Sequence, residues 1–171
     1  MITIKPASDS DLKVIQKLAY EIWPVVYGTI IPPGQVDFML TSGYSIDSLT
    51  RQVNEKKHHF ILIGEDEHIF GYASYSSREE MAIKIYSIHK LYVLPEQHGK
   101  GLGKKLVNYI INVAQSAGAE RLELNVNRYN PALAFYKKLG FEINREMNEN
   151  IGHGYVVDDY VMILHLDKPP V

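Results

Sequence analysis

Cysteine is missing from this 171-residue chain. That excludes disulfides, cysteine-ligated zinc, iron–sulfur clusters and a thiol nucleophile together, and it fits a reducing compartment. No run of eighteen apolar residues occurs, so no segment reads as a membrane-spanning helix. The opening Met1-Ile-Thr-Ile-Lys-Pro6 lacks the basic and apolar blocks of a signal peptide, and the expectation is a cytoplasmic protein. Charge of one sign is scarce too: 18 Lys+Arg stand against 20 Asp+Glu, a net charge of −2, which provides no general attraction to nucleic acid or to an anionic membrane. No Gly/Ser linker and no internal repeat divides the chain. With 46% hydrophobic residues, it is long enough to bury roughly two-thirds of its unfolded surface as one domain over 1–171.

Periodicity then sets out the elements. Ile2 to Pro6 alternates as a short edge strand. Asp9 or Ser10 caps a helix carrying Leu12, Ile15, Leu18, Ala19 and Ile22, expected to stop near Trp23-Pro24. Pro32-Pro33-Gly34 precedes a short amphipathic segment ending near Leu40, and Ser45 to Val53 reads as a further helix. Phe60–Gly64 and Ile69–Tyr75 flank the polar turn Glu65-Asp66-Glu67 as a hairpin. Ala82 to Val93 alternates with a slip between Ile85 and Ile88, which predicts a bulge there. A helical stripe from Leu102 to Ala117 ends at Gly118; strand Leu122–Val126, helix Ala132–Leu139, a strand from Phe141 and a last strand Tyr155–Leu166 follow. The class is mixed α/β (α+β).

The most informative stretch is Pro95-Glu-Gln-His-Gly-Lys-Gly-Leu-Gly-Lys-Lys105, between a long strand and an amphipathic helix. Gly99, Gly101 and Gly103 let the backbone turn tightly, and the gathered N–H groups with the helix dipole behind them suit a pyrophosphate. Lys100, Lys104 and Lys105 add positive charge. A P-loop spacing fails at His98 and Lys105, and a dinucleotide fingerprint fails where Lys104 replaces its third glycine.

His98-Gly-Lys-Gly101-Leu-Gly103 resembles the acetyl-CoA motif of the Gcn5-related N-acetyltransferase superfamily, with His98 in place of the usual Gln or Arg. Leu91-Tyr-Val-Leu-Pro-Glu96 is similar to that family's fourth strand. Leu124-x-Val126-x-x-x-Asn130 with Ala134-Phe-Tyr-Lys-Lys-Leu-Gly-Phe141 resembles its second block, Asn130 standing one residue nearer Tyr136 than in the common form. The resemblance implies a single, mostly antiparallel sheet with helices on both faces, whose fourth and fifth strands part around the pantetheine arm. It implies acetyl transfer from acetyl-CoA directly to an amine, without a covalent enzyme intermediate. Leu91, Tyr92 and Val93 would hold the pantetheine as an added strand, with a strand N–H near Tyr92 or Val93 on the thioester oxygen. His98, Gly99, Lys100, Gly101, Leu102, Gly103, Lys104 and Asn130 complete the expected cofactor contacts.

Tyr136 takes the place of the family's general acid, able to protonate the departing thiolate. Candidates for the base are His89, Glu79, Glu80, Asp158 and Asp159, with His89 first. Trp23 and Tyr27 follow the first helix, where the superfamily builds part of its acceptor pocket. The acidic pair in Gly152-His-Gly-Tyr-Val-Val-Asp-Asp-Tyr-Val-Met162 is loosely similar to bacterial spermidine/spermine N-acetyltransferases. No metal-binding spacing appears among the seven histidines. The expected acceptor is a primary amine, polyamine-like, amino-acid-like or on a peptide. The alternative is an acyl-CoA-binding sensor on the same fold. The apolar last strand also suggests a homodimer.

Overall fold

The computed structural model describes residues 1–166; the tail of the expected 1–171 domain lies outside the described residues. The strands are β1 (Ile2–Pro6), β2 (His59–Glu65), β3 (His68–Glu80), β4 (Ile83–Val93), β5 (Arg121–Asn127), β6 (Glu142–Gly152) and β7 (Tyr155–His165). The helices are α1 (Leu12–Tyr27), α2 (Pro33–Tyr44), α3 (Ile46–Asn54), α4 (Leu102–Ser116) and α5 (Ala132–Lys138). They form one mixed sheet in the order β1-β2-β3-β4-β5-β7-β6. The β4–β5 pair is parallel, and it runs only from Ile85↔Arg121 to Ile88↔Leu124 before the two strands splay. The chain groups into two compact units: Met1–Ser76 with Lys90–Val107, and Ser77–His89 with Asn108 onward.

In the first unit, α1 buries Leu12, Ile15, Leu18, Ala19, Ile22 and Trp23 at helical spacing. Contrary to the expected stop at Trp23-Pro24, α1 continues to Tyr27 with Pro24 inside it. Proline leaves the Tyr20 carbonyl without its helical donor. Tyr20 and Pro24 both lie on the exposed face, open to solvent, while Gly28 N–H donates to the Pro24 carbonyl at 3.0 Å. The segment expected to end near Leu40 likewise extends to Tyr44, whose ring is buried at 2% exposure. Ser45 then caps α3, its Oγ accepting the Ser48 N–H at 3.1 Å.

The second unit holds the far end of the β3–β4 hairpin. β3 outruns its expected end at Tyr75 by five polar or small residues to Glu80. Met81 and Ala82 make the turn, both with positive φ (51° and 67°), the backbone a two-residue I′ hairpin turn requires. The bulge expected between Ile85 and Ile88 is absent from the pairing with β5, which passes them unshifted. Both isoleucines are buried, so the slip in the pattern reflects a strand covered on both faces. The apolar run of β7 has the same origin: the consecutive Val161, Met162 and Ile163, which point to alternate faces, are all buried.

Candidate functional site

The glycine loop connects β4 to α4 in the first unit. Gly99 and Gly101 have φ of 82° and 77°, which other L-residues rarely adopt, and beside each Cα lies open space. The first α4 bond described runs from Lys105 N–H to the Gly101 carbonyl at 3.1 Å. Leu102, Gly103 and Lys104 therefore precede the ladder, with amides of the kind a helix start offers to an anion. Lys100 and Lys104 are exposed beside them, Lys100 Nζ resting on Gln97 Oε1 at 2.9 Å. His98 is tied back onto the strand, Nε2 lying 2.8 Å from the Val93 carbonyl. The loop thus has the donors, the charge and the room for a pyrophosphate.

Directly ahead of the loop, Leu91 and Tyr92 are half-buried and Val93 is buried. β3 approaches this end of β4 so closely that a Cβ at Gly71 would sit 2.5 Å from the Tyr92 carbonyl oxygen. The Tyr92 hydroxyl lies 2.7 Å from that of Tyr27 on α1. Trp23 packs on Tyr27, Tyr44 and Tyr92 with ring centroids at 4.5, 5.7 and 5.8 Å. Tyr72 Oη donates to Tyr44 Oη at 2.8 Å, and burial pushes both phenols well above their ordinary pKa. Trp23 therefore lies within a filled aromatic cluster, 6% exposed, and Tyr27 is half-buried at its edge.

Lys90, which no sequence motif marks, completes this wall beside His58. Lys90 on β4 projects its ammonium over the rings of Tyr44 and Phe60, at 5.5 and 5.7 Å, and donates to Gln52 Oε1 at 2.6 Å. Burial, then the like charge of Lys56, pushes the Lys90 pKa down to about 8. His58 is pushed down to about 4 by burial and by the charges of Lys90 and Lys56. The available signal was parity: Lys90 alternates with the buried Ile88 and the half-buried Tyr92.

The remaining predicted residues lie in the second unit. Asn130 is buried, its Oδ1 accepting the Ala132 N–H at 2.9 Å at the start of α5. That side chain fixes the entry of α5, whose Tyr136 is 7% exposed between Phe135 and Phe141, at 5.1 and 5.6 Å. His89 is exposed on β4. Glu79 is exposed, and Glu80 is engaged by Arg78 Nε at 3.2 Å. Arg128 holds Asp158 at 2.8 Å and Glu146 at 3.1 Å. Asp159, on the next position of β7, is pushed up to about 6 by burial, then by Asp158 and Glu149. Among the described residues no group of three or more His, Asp or Glu side chains is placed to hold a metal ion, and no helix is long and apolar enough to cross a membrane.

Residues 23–141 match the acetyltransferase (GNAT) family. The chain belongs to that family. It is an acetyl-CoA-dependent N-acetyltransferase, as the paired motifs suggested. An uncharacterized N-acetyltransferase of Mycobacterium tuberculosis, Rv2669, is 26% identical over 158 residues, covering 92% of this chain and 99% of the relative. The L-amino acid N-acyltransferase MnaT of Escherichia coli is 30% identical over 112 residues, 63% of this chain and 65% of its own. In structure, the chain is similar to the PaiA N-acetyltransferase of Thermoplasma acidophilum in complex with coenzyme A. The TM-score is 0.80 at 22% identity, over 96% of this chain and 99% of that one.

Proposed function

We propose that this GNAT enzyme acetylates the primary amine of a small, amino-acid-like acceptor, with Tyr136 protonating the CoA thiolate as it leaves. The observation that carries the reading is the placement of Tyr136 on α5: buried, edge-on to two phenylalanine rings, with the helix entry fixed by Asn130. A phenol held in one place can meet a developing thiolate without reorganising. The partial similarity to MnaT supports the acceptor class.

The pyrophosphate is assigned to the amides from Gly99 to Lys104, and the pantetheine to backbone groups of Leu91 and Val93. His98 contributes by bracing the loop on the Val93 carbonyl. An N–H at Tyr92 or Val93 polarises the thioester oxygen, and the side-chain amide of Asn130 is assigned to the cofactor. Tyr27, half-buried beside Trp23, is assigned to the acceptor. His89, exposed on β4, takes the ammonium proton before attack. The amine nitrogen then bonds to the acetyl carbon, the C–S bond breaks, and Tyr136 gives its proton to sulfur. The second proton shed by the acylated nitrogen returns through solvent to the Tyr136 phenolate.

A second reading, a polyamine-like acceptor, is favoured by one feature: Asp158, Asp159 and Glu149 gather negative charge on the β6–β7 hairpin. One screen separates the two. Amino acids, di- and polyamines and peptides are offered with acetyl-CoA, and released CoA is measured. Turnover with L-amino acids and none with polyamines is the expected result; the reverse overturns the acceptor class. No CoA release with any amine would overturn the reading as a whole.

A further inference from the structure

Lys90 is a half-buried cation that the chemistry above leaves without a role. The fold also holds it at a cost. Its pKa lies near 8 in the folded chain and near the ordinary lysine value when unfolded, so between these values the unfolded chain binds the extra proton. The ammonium therefore weakens folding at neutral pH, and that penalty lifts as pH rises through 8. A group retained against stability is a candidate for a task other than stability.

The contacts show what it joins. Lys90 Nζ donates to Gln52 Oε1 at 2.6 Å, and Gln52, itself 6% exposed, passes the connection on. Its Nε2 donates to the Gly43 carbonyl at 2.8 Å and to Ser48 Oγ at 3.1 Å. One side chain of β4 thus fastens the last turn of α2 and the body of α3. Two residues on, Tyr92 meets Tyr27 of α1 at 2.7 Å. Three helices are anchored to the strand segment that runs into Leu91–Val93.

We infer that Lys90 is a positioning residue for acetyl-CoA: its ammonium clamps α2 and α3 to β4 and holds the Leu91–Val93 backbone in the line that receives the pantetheine. This rests on the assignment of that backbone to the pantetheine arm. Without the clamp, the segment must be ordered at each binding event, and affinity falls. The groups facing Lys90 are Tyr44 from α2, Gln52 from α3, Lys56 beyond α3, and His58 and Phe60 at the start of β2. Between pH 7 and 9.5, His58 stays neutral and Tyr44 stays protonated. The loss of the Lys90 proton is therefore the change expected at the clamp.

The test is calorimetry from pH 7 to 9.5 with two ligands, acetyl-CoA and adenosine 3′-phosphate 5′-diphosphate, which lacks the pantetheine. In the wild type, acetyl-CoA affinity should fall several-fold above pH 8, while the truncated ligand is unaffected. Lys90→Met should bind acetyl-CoA several-fold more weakly at pH 7 with no further fall, and Lys90→Arg should keep the pH 7 affinity throughout. Melting curves confirm that each variant is folded; should Lys90→Met not fold, the wild type and Lys90→Arg still decide. Unchanged acetyl-CoA affinity in Lys90→Met at every pH overturns the proposal, and so does an equal loss for both ligands. If acetyl-CoA binds no tighter than the truncated ligand even in the wild type, the pantetheine assignment itself has failed.

Discussion

The unit that carries the glycine loop buries its polar groups against rings, whereas the unit that carries Tyr136 holds its own in charged pairs. In the first, Tyr44, Tyr72, Gln52 and Lys90 are satisfied without a carboxylate: hydroxyl to hydroxyl, ammonium to amide. In the second, Arg78 and Arg121 share the buried Glu123, and Arg128 spans Asp158 and Glu146. Hydrogen bonds in a low-dielectric interior are little affected by salt, while exposed ion pairs are screened by it. The first construction favours a fixed backbone for a long cofactor and titrates at Lys90 above neutral pH; the second responds to ionic strength and titrates at Asp159 below it. Four substitutions test that contrast.

Replacing Tyr136 by phenylalanine should have the largest effect. It keeps the ring between Phe135 and Phe141 and removes only the hydroxyl. Turnover should fall by about a hundred- to ten-thousand-fold, in kcat, with acetyl-CoA affinity nearly intact. Wild-type turnover would make Tyr136 a packing residue and leave the thiolate proton to another donor or to water.

Gly101→Val comes next and acts on the first unit. Open space beside the Cα means the side chain itself meets no protein atom; the difficulty is the φ of 77°, which costs a β-branched residue about 1–2 kcal/mol. The loop should relax away from that conformation and misdirect its amides, weakening acetyl-CoA about tenfold or more in calorimetry while melting barely changes. Unaltered affinity would move the pyrophosphate elsewhere. Gly71→Ala is the complementary case, failing by contact: its Cβ would lie 2.5 Å from the Tyr92 carbonyl oxygen and 3.1 Å from Val93 Cα. Overpacking of that kind costs about 1–3 kcal/mol. Both the melting temperature and acetyl-CoA affinity should drop, the latter because Tyr92 and Val93 are pushed. A fall in melting alone would separate β3 from the pantetheine assignment.

These glycines also show how far the sequence could be read. The loop was legible because its chemistry is local: alternate glycines at a strand-to-helix junction define the backbone wherever the rest of the chain lies. The splay of β4 and β5 followed from motif resemblance, and the seven strands from periodicity, which left one of the three helices between β1 and β2 out of the expected order. What stayed hidden depends on partners distant in sequence. Nothing near Pro24 signals that α1 crosses it, because Trp23 and Tyr27 are secured by Tyr44 and Tyr92. β3 outran its apolar pattern because Arg78 reaches Ser87 at 2.9 Å and Glu123 at 2.7 Å. Lys90 has no local signal of its partner, because Gln52 stands 38 residues away in the sequence.

The smallest effect is expected at Asp159, where the charged construction of the second unit is least complete. Its pKa near 6, against an ordinary value near 4, means that between these pH values the folded chain keeps a proton that the unfolded chain has released. Stability therefore falls as pH rises through that window and stays lower above it. Asp159→Asn removes the titration, so the variant should melt higher than the wild type at pH 7.5 and no higher at pH 3.5. The full shift would correspond to about 3 kcal/mol, at about 1.4 kcal/mol per unit. Solvent screening of a side chain that is only partly covered brings this nearer 1 kcal/mol, a rise of about 2–4 °C. Burial is the first cause and repulsion by Asp158 and Glu149 the second. Added salt should then reduce the gain only in part, since screening removes repulsion and leaves desolvation. A gain of equal size at both pH values would mean that the asparagine stabilises by new hydrogen bonds. A loss at pH 7.5 would mean that the carboxylate is held by a favourable contact, and the contrast between the two units would narrow.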